Sequence, residues 1–422
     1  MTTMLPNSMN YQEGHPSLPE GVVSTQITLS PANGAVFTAG GSVIQFDYLN
    51  RGFIDPQSIF LRYKYTLASP ANAEIIGTPV YTPFVRMETL IGSTVVESQN
   101  QYNQNCNMLV NLSTDVASKY GLQSAYNYGD STATPAMSAM DGHTCALNES
   151  GFMSGLLPGL LTNCEKLIPA FAMSQIRTQL TLDSIANIFT SGATSVIPTA
   201  FTLTNVELVY TMIDAGPQVE AMVRSLGTFY IKSQSVVNSS VSLANATTGS
   251  ISLVFNQRLA SVKSAFVLFT GTNVASVNKW GDAYDPTQNN GEISINVGGI
   301  SYPQRPLSTS ANKAGILQYL RHATGSIYDR NNSLSINNIE WNRVGITIPT
   351  TVSEPAKFFV GLSLEKMHTN ALLTGISTQN SAITVLISTG TPTAQTHTVN
   401  LILSYDALIE IDVNSRQTSV KM

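Results

Sequence analysis

Apolar and polar residues alternate with a period of two through most of this chain, and that alternation limits the fold more tightly than any motif. In SVIQFDYL, Ile44, Phe46 and Tyr48 fall on one side and Val43, Gln45 and Asp47 on the other, the pattern of a strand with one buried face. NRGFIDP then supplies a turn with Gly52 and Pro56, and SIFLRYKYTL resumes a strand rich in aromatic and β-branched residues. Similar runs follow at FVRMETLIGSTVVES, TAFTLTNVELVYTMID, GSISLVF, KSAFVLFTG, GEISINVGG, AKFFVGLSL, SAITVLIST and HTVNLILSYDALIEIDV. Helical spacing is confined to short stretches. Leu109, Leu112 and Val116 mark one between Asn100 and Tyr120, and Ile316, Leu317 and Leu320 mark another in KAGILQYLRHA. FAMSQIRTQLTLDSIANIF fits helix and strand alike, and AGPQVEAMVRSLG reads as a linker or helix.

At 422 residues the chain exceeds what one core usually supports, and its two halves echo each other. Arg51 with SIFLRYKYTL corresponds to Arg258 with SAFVLFTG; TNVELVYTMID corresponds to VNLILSYDALIEID, with Asn205 and Tyr210 matching Asn400 and Tyr405. Many short antiparallel strands with long excursions at certain turns are the signature of an eight-stranded jelly roll. The expected fold class is therefore all-β, two tandem eight-stranded jelly rolls with short helices and long inter-strand loops. The expected division is a flexible arm over 1–21, a first roll over 22–226, a second over 227–413 and a tail over 414–422. Residues 121–165 and NVASVNKWGDAYDPTQNNG are the candidate exposed excursions, the former richer in Ala, Met and Gly than a hydrated loop should be, which leaves burial under a neighbour or between the two rolls as the alternative.

Charge is scarce. Lys and Arg number 21 against 26 acidic residues, a net charge of -5, and charged residues make up 11% of the chain where about 25% is usual. A large protein that seldom exposes Lys or Glu hides much of its exterior against neighbours. No Lys/Arg cluster occurs, which argues against direct nucleic-acid binding. The first residues contain no hydrophobic signal segment, so synthesis without a signal peptide is expected. Cys106, Cys145 and Cys164 are read as ordinary thiols, an odd number being unsuited to a disulfide framework.

Sites of chemistry are not evident. The five histidines, His15, His143, His322, His368 and His397, form no i, i+4 pair, and only His143 stands near a cysteine. Nucleophile-elbow and phosphate-loop patterns are absent. Asp282 and Asp285 flank Tyr284 in what reads as a solvated Asp-Pro turn, with calcium as the weaker alternative. No enzyme activity and no cofactor are expected.

FFVGLSLEKMHTNALLTGISTQNSAITVLIST with TVNLILSYDALIEID and the upstream GGISYPQRPL resembles the second jelly roll of double jelly-roll major capsid proteins of eukaryotic DNA viruses, of the polinton-like and virophage-like groups. SVIQFDYLNRGFIDPQSIFLRYKYTL resembles the opening strands of their first roll. The resemblance implies a structural subunit of an icosahedral virion shell that forms pseudo-hexameric homotrimers. Its implied partners are neighbouring capsomers, penton and minor capsid proteins, and a membrane beneath the shell. Glu365 and Lys366 then become structural or subunit-contact residues on a turn, as do Tyr302 and Arg305 beside Pro303 and Pro306, and Tyr210 and Tyr405 on the matching strands. The alternative is a carbohydrate- or receptor-binding spike or adhesin of β sandwiches, for which Tyr284 near Trp280 is the nameable aromatic platform.

Overall fold

The computed structural model describes residues 21–68, 73–114, 142–145, 147–190, 197–271, 283–325, 334, 336, 341, 357–367, 373–393 and 396–422. Within the first half the principal strands are β1 (Val23–Leu29), β2 (Val43–Asp47), β3 (Phe60–Ala68), β4 (Phe84–Ile91), β5 (Thr94–Asn100), β6 (Ser150–Leu156), β7 (Ile176–Leu182) and β8 (Ala200–Asp214). The second half repeats them as β9 (Thr228–Leu243), β10 (Gly249–Phe255), β11 (Val262–Gly271), β12 (Gly291–Val297), β13 (Ile300–Ser308), β14 (Phe359–Ser363), β15 (Ile383–Thr389) and β16 (His397–Asp412).

The topologies coincide. The first half pairs β6-β3-β8-β1 in one sheet and β2-β7-β4-β5 in the other; the second pairs β14-β11-β16-β9 and β10-β15-β12-β13. Each strand of the first half thus has its counterpart eight places later, all pairings between them are antiparallel, and each half is an eight-stranded jelly roll. Both correspondences read from the sequence fall on equivalent strands, β3 with β11 and β8 with β16. A helix follows the fifth strand in each roll: α1 (Tyr102–Ser113) in the first, and, after α2 (Pro217–Ser225) between the rolls, α3 (Lys313–Ala323) in the second.

Local chemistry sets these elements. Asp55 Oδ1 accepts from Gln57 N at 3.2 Å, and Pro56 starts the single turn that follows. Gly52 has φ +59, and a Cβ there would lie 2.9 Å from the Ile213 carbonyl oxygen, so only glycine fits. Asn312 caps α3 by accepting from Gly315 N, and Arg321 and His322 occupy its last turn, where the helix dipole favours cations. Gly361 lets α3 lie on β14: a Cβ would come within 2.7 Å of Leu320 Cδ1. The ambiguous stretch at 171–189 resolves into β7 followed by the four-residue helix Ile185–Ile188. β7 alternates strictly between buried and half-buried residues, so the period of two prevails there.

Three expectations need correction. The tail at 414–422 is not free: Gln417–Lys421 folds back as β17 on residues 408–412 of β16, its Val420 packing on the core. Asp285 is not solvated, because it is buried and accepts from Thr287 N and Oγ1 and from Asn289 N, with Lys313 Nζ at 3.8 Å. Tyr284 is buried too, so it forms no exposed aromatic platform. Asp282 and Trp280, His15 and His368, most of the arm and residues 121–141 lie outside the described residues. All three cysteines are buried thiols outside any disulfide. No helix among the described residues is long and apolar enough to cross a membrane.

Candidate functional site

The two rolls differ in how they treat equivalent surfaces. Strand β16, in the interior of its sheet, has one face buried throughout, and on the other Asn400, Ile402 and Asp406 are buried and the rest half-buried. Its equivalent β8 alternates, with half-buried or exposed residues outward. On its outer face the cover comes from α1 of the first roll and α3 of the second. Met108 and Leu112 of α1 are buried in one cluster with Val236, Phe266, Leu268, Phe359 and Ile402 of the second roll's outer sheet face, together with Leu320 and Ala323 of α3.

Helix α1 looks unsuited to burial, since YNQNCNMLVNLS is rich in Asn. The structure satisfies these amides across the seam. Asn238 Nδ2 donates to Gln104 Oε1 at 3.3 Å and Asn105 Oδ1 at 3.1 Å, while Lys357 Nζ donates to Asn111 Oδ1 at 3.0 Å. Buried polar groups that find partners specify one docking arrangement. Beside the helix, Glu97 of β5 is fully buried against β9: it accepts from Thr89 Oγ1 (3.1 Å), Gln99 Nε2 (2.8 Å), Leu160 N (2.9 Å) and Ser235 Oγ of the second roll. Burial raises its pKa, and the bonds from Ser235, Gln99, Leu160 and Thr89 oppose that rise. Ser233 Oγ donates to the Leu160 carbonyl, closing the same seam.

The first roll's equivalent face is open. On β6, Phe152 and Leu156 are each 55% exposed, facing out opposite Lys64 and Phe60 of β3. Lys64 Nζ lies 5.6 Å from the Phe152 ring centroid, and Arg62 pairs with Glu207 on the same face. Helix α3, the counterpart of the buried α1, likewise leaves Tyr319 42% exposed.

The residues singled out in the sequence do not form one surface. Tyr210 is buried, its ring 5.3 Å from Tyr48 and its hydroxyl accepting from Leu49 N at 3.2 Å; Tyr405 is buried with its hydroxyl 3.4 Å from Met422 Sδ. Glu365 is mostly buried, pairing with Lys263 Nζ at 2.9 Å and accepting from Thr374 Oγ1 at 3.2 Å, which ties the exit of β14 to the start of β11. Lys366 is exposed, with its N–H on the Thr374 carbonyl at 2.9 Å. Tyr302 is half-buried and Arg305 exposed on β13, an edge strand. Pro303 and Pro306 remove two N–H donors from that edge, a standard block to strand addition. Phe152, Leu156 and Glu97 went unread; the lone acid in STVVESQN was the available signal for Glu97. Among the described residues no three His, Cys, Asp or Glu side chains gather as a metal-ligand group.

No protein-family model and no curated protein matches the sequence. Solved structures do. PBCV-1 VP54, from its crystal structure fitted into a reconstruction of the virophage Sputnik, aligns at a TM-score of 0.63 and 12% identity over 95% of this chain and 97% of that one. The Faustovirus major capsid protein aligns at 0.63 and 10%, covering 97% and 93%; the mavirus major capsid protein at 0.57 and 10%, covering 100% and 95%. The chain thus has the double jelly-roll fold of viral major capsid proteins over essentially its full length. The likeness is one of architecture, at identities of 10 to 12%.

Proposed function

We propose that this chain is the major capsid protein of an icosahedral virus and that it works as a homotrimer with a pseudo-hexameric outline. The unequal burial of equivalent faces carries the reading. Within one chain α1 of the first roll, together with the second roll's own α3, covers the outer face of β14-β11-β16-β9 around Phe266, Phe359 and Ile402; on the corresponding face of the first roll Phe152 and Leu156 are left exposed. If the second roll of a neighbouring chain covers that face as the first roll covers the second, one head-to-tail contact repeats. A repeated heterologous contact closes into a ring when the rotation permits, and three chains then supply six similar sides. The scarcity of charge fits a subunit with much of its surface in contact, and apolar patches supply more assembly energy than exposed ion pairs. Location in the virion shell, contacts with neighbouring capsomers, penton and minor capsid proteins, and delegation of genome binding to another component belong to the same proposal. So does the division into an arm, two rolls and a C-terminal segment.

Sedimentation velocity tests it. The purified chain should sediment as a species of about 136 kDa, three times its 45.3 kDa. The double variant Phe152→Glu with Leu156→Glu should sediment near 45 kDa while keeping its β circular dichroism. A native chain that stays monomeric from micromolar to millimolar concentration would overturn the proposal.

A further inference from the structure

The contacts that join the two rolls have counterparts at the far edges of the chain. Inside the seam, Glu97 of β5 accepts from Ser235 Oγ of β9, and the Leu160 carbonyl, just beyond β6, accepts from Ser233 Oγ of β9. Strands β5 and β9 belong to different sheets and share no ladder, so this junction is made by side chains and by the chain beyond β6.

Pairing registers align these residues with the other roll. Ser235 lies opposite Tyr405 as Ile27 lies opposite Tyr210, and Ser233 opposite Ala407 as Thr25 opposite Met212. Strand β1 therefore stands where β9 stands. Glu97 is opposite Thr89, two residues before the end of β4, and Tyr302 is opposite Ile295, two residues before the end of β12. Leu156 pairs with Phe60 and Ser363 with Ser264, each of which faces the residue before a matching tyrosine. Four residues further on, Leu160 corresponds to Met367.

Burial separates the two sets. Leu160 is 0% exposed and Met367 57%; Ile231 of β9 is 2% exposed, and Val23, at its place on β1, 57%. Ser233 is buried where Thr25 is exposed, and Glu97 and Ser235 are buried where Tyr302 and Ile27 are half-buried. One edge of the chain is thus shaped like the strand that receives a roll, and the opposite edge like the roll that covers it. Both are bare. A surface and its complement on one molecule are satisfied by a second copy.

Resting on the head-to-tail reading above, we propose that β13 and the chain beyond β14 of one subunit dock on β1 of the next, with Tyr302 against Ile27 and Met367 against Thr25 and Val23. The two junctions then differ in chemistry. Within the chain a carboxylate meets a serine; between chains an aromatic ring meets an isoleucine, so no acid is buried on assembly. Tyr and Met are also favoured at the centres of interfaces. Pro303 and Pro306 keep β13 from taking β1 into its ladder, just as β5 takes no part in a ladder with β9. The contact can therefore close a ring without extending a sheet from chain to chain.

Disulfide trapping in the full chain tests this, since the three native cysteines are buried. Thr25→Cys with Met367→Cys in one chain should give, on mild oxidation, covalent species of two and three chains on a non-reducing gel. Neither single variant should. Ile27→Cys with Tyr302→Cys is a second pair, read in the same way; a bond requires Cα atoms within about 7 Å. Before oxidation both double variants should sediment as the native chain does, and trapping by either pair supports the contact. A chain that sediments as a trimer while neither pair is trapped overturns the contact and leaves the trimer standing. A native chain that is monomeric overturns both. Covalent dimers from a single variant, which set like positions face to face across a twofold axis, overturn the contact as well.

Discussion

Replacing Glu97 separates two roles that a buried carboxylate can have. Its oxygens accept from Thr89, Gln99, Leu160 and, across the seam, Ser235. In Glu97→Ala all four donors lose their partner inside a closed seam. Each buried donor left unmade costs about 1–3 kcal/mol, and relaxation toward one another recovers part of that, so a loss of about 3–5 kcal/mol is expected. Glu97→Gln is different. Its amide oxygen can take the place that serves Gln99, Leu160 and Ser235, and its NH2 then meets Thr89, whose hydroxyl can turn to accept, but also stands against the Leu160 N–H, which lies 2.9 Å from both carboxylate oxygens. A loss of about 1–2 kcal/mol at low pH, smaller than that of Glu97→Ala, follows. Burial also fixes the pH response. Because the folded pKa of Glu97 lies above the unfolded one, the folded state binds the proton more tightly, so this group's contribution is complete below about pH 4 and is lost as pH rises through the folded value. Urea unfolding of the wild type, Glu97→Ala and Glu97→Gln from pH 4 to pH 9 reads all of this. Glu97→Gln should gain on the wild type as pH rises. Equal losses in the two variants, or a wild type that gains on Glu97→Gln toward alkaline pH, would refute the reasoning.

Other expectations follow from the same seam and cores. Met108→Ala removes a fully buried side chain between the rolls and should lower unfolding free energy by about 2–4 kcal/mol, readable as a lower urea midpoint with unchanged secondary structure. Lys263→Met removes the cation paired with the mostly buried Glu365 and should cost about 1–2 kcal/mol, readable as a lower urea midpoint. Cys164, whose thiol burial pushes up to about 12, and Cys106, pushed still higher by burial, should resist iodoacetamide in the native chain and react in urea.

The alternating stretches made the fold legible. Strands such as β2 and β7 bury one face, so the period of two survives in the sequence. The echo between β8 and β16 was readable for the same reason, although β16 also buries Asn400, Ile402 and Asp406 on its second face. The seam was not legible. Helix α1 owes its burial to amides that bond with a partner more than a hundred residues away, and no local pattern announces that. Tyr210 and Tyr405 drew attention as matching aromatics, and both are buried core residues on the equivalent strands β8 and β16. Phe152 and Leu156 lie in a Gly- and Met-rich run whose period is short; only their exposure in the folded chain marks them. Glu365 and Lys366 form the charged island in a nearly uncharged region, and Glu365 pairs with Lys263 within the chain.

Negative-stain images of the purified native chain bear most directly on whether equal rolls close into a ring. Six-lobed, hexagon-like class averages at a mass of about 136 kDa are the predicted result. Two-lobed particles of a single chain at every concentration, or rings with a number of lobes other than six, would contradict it.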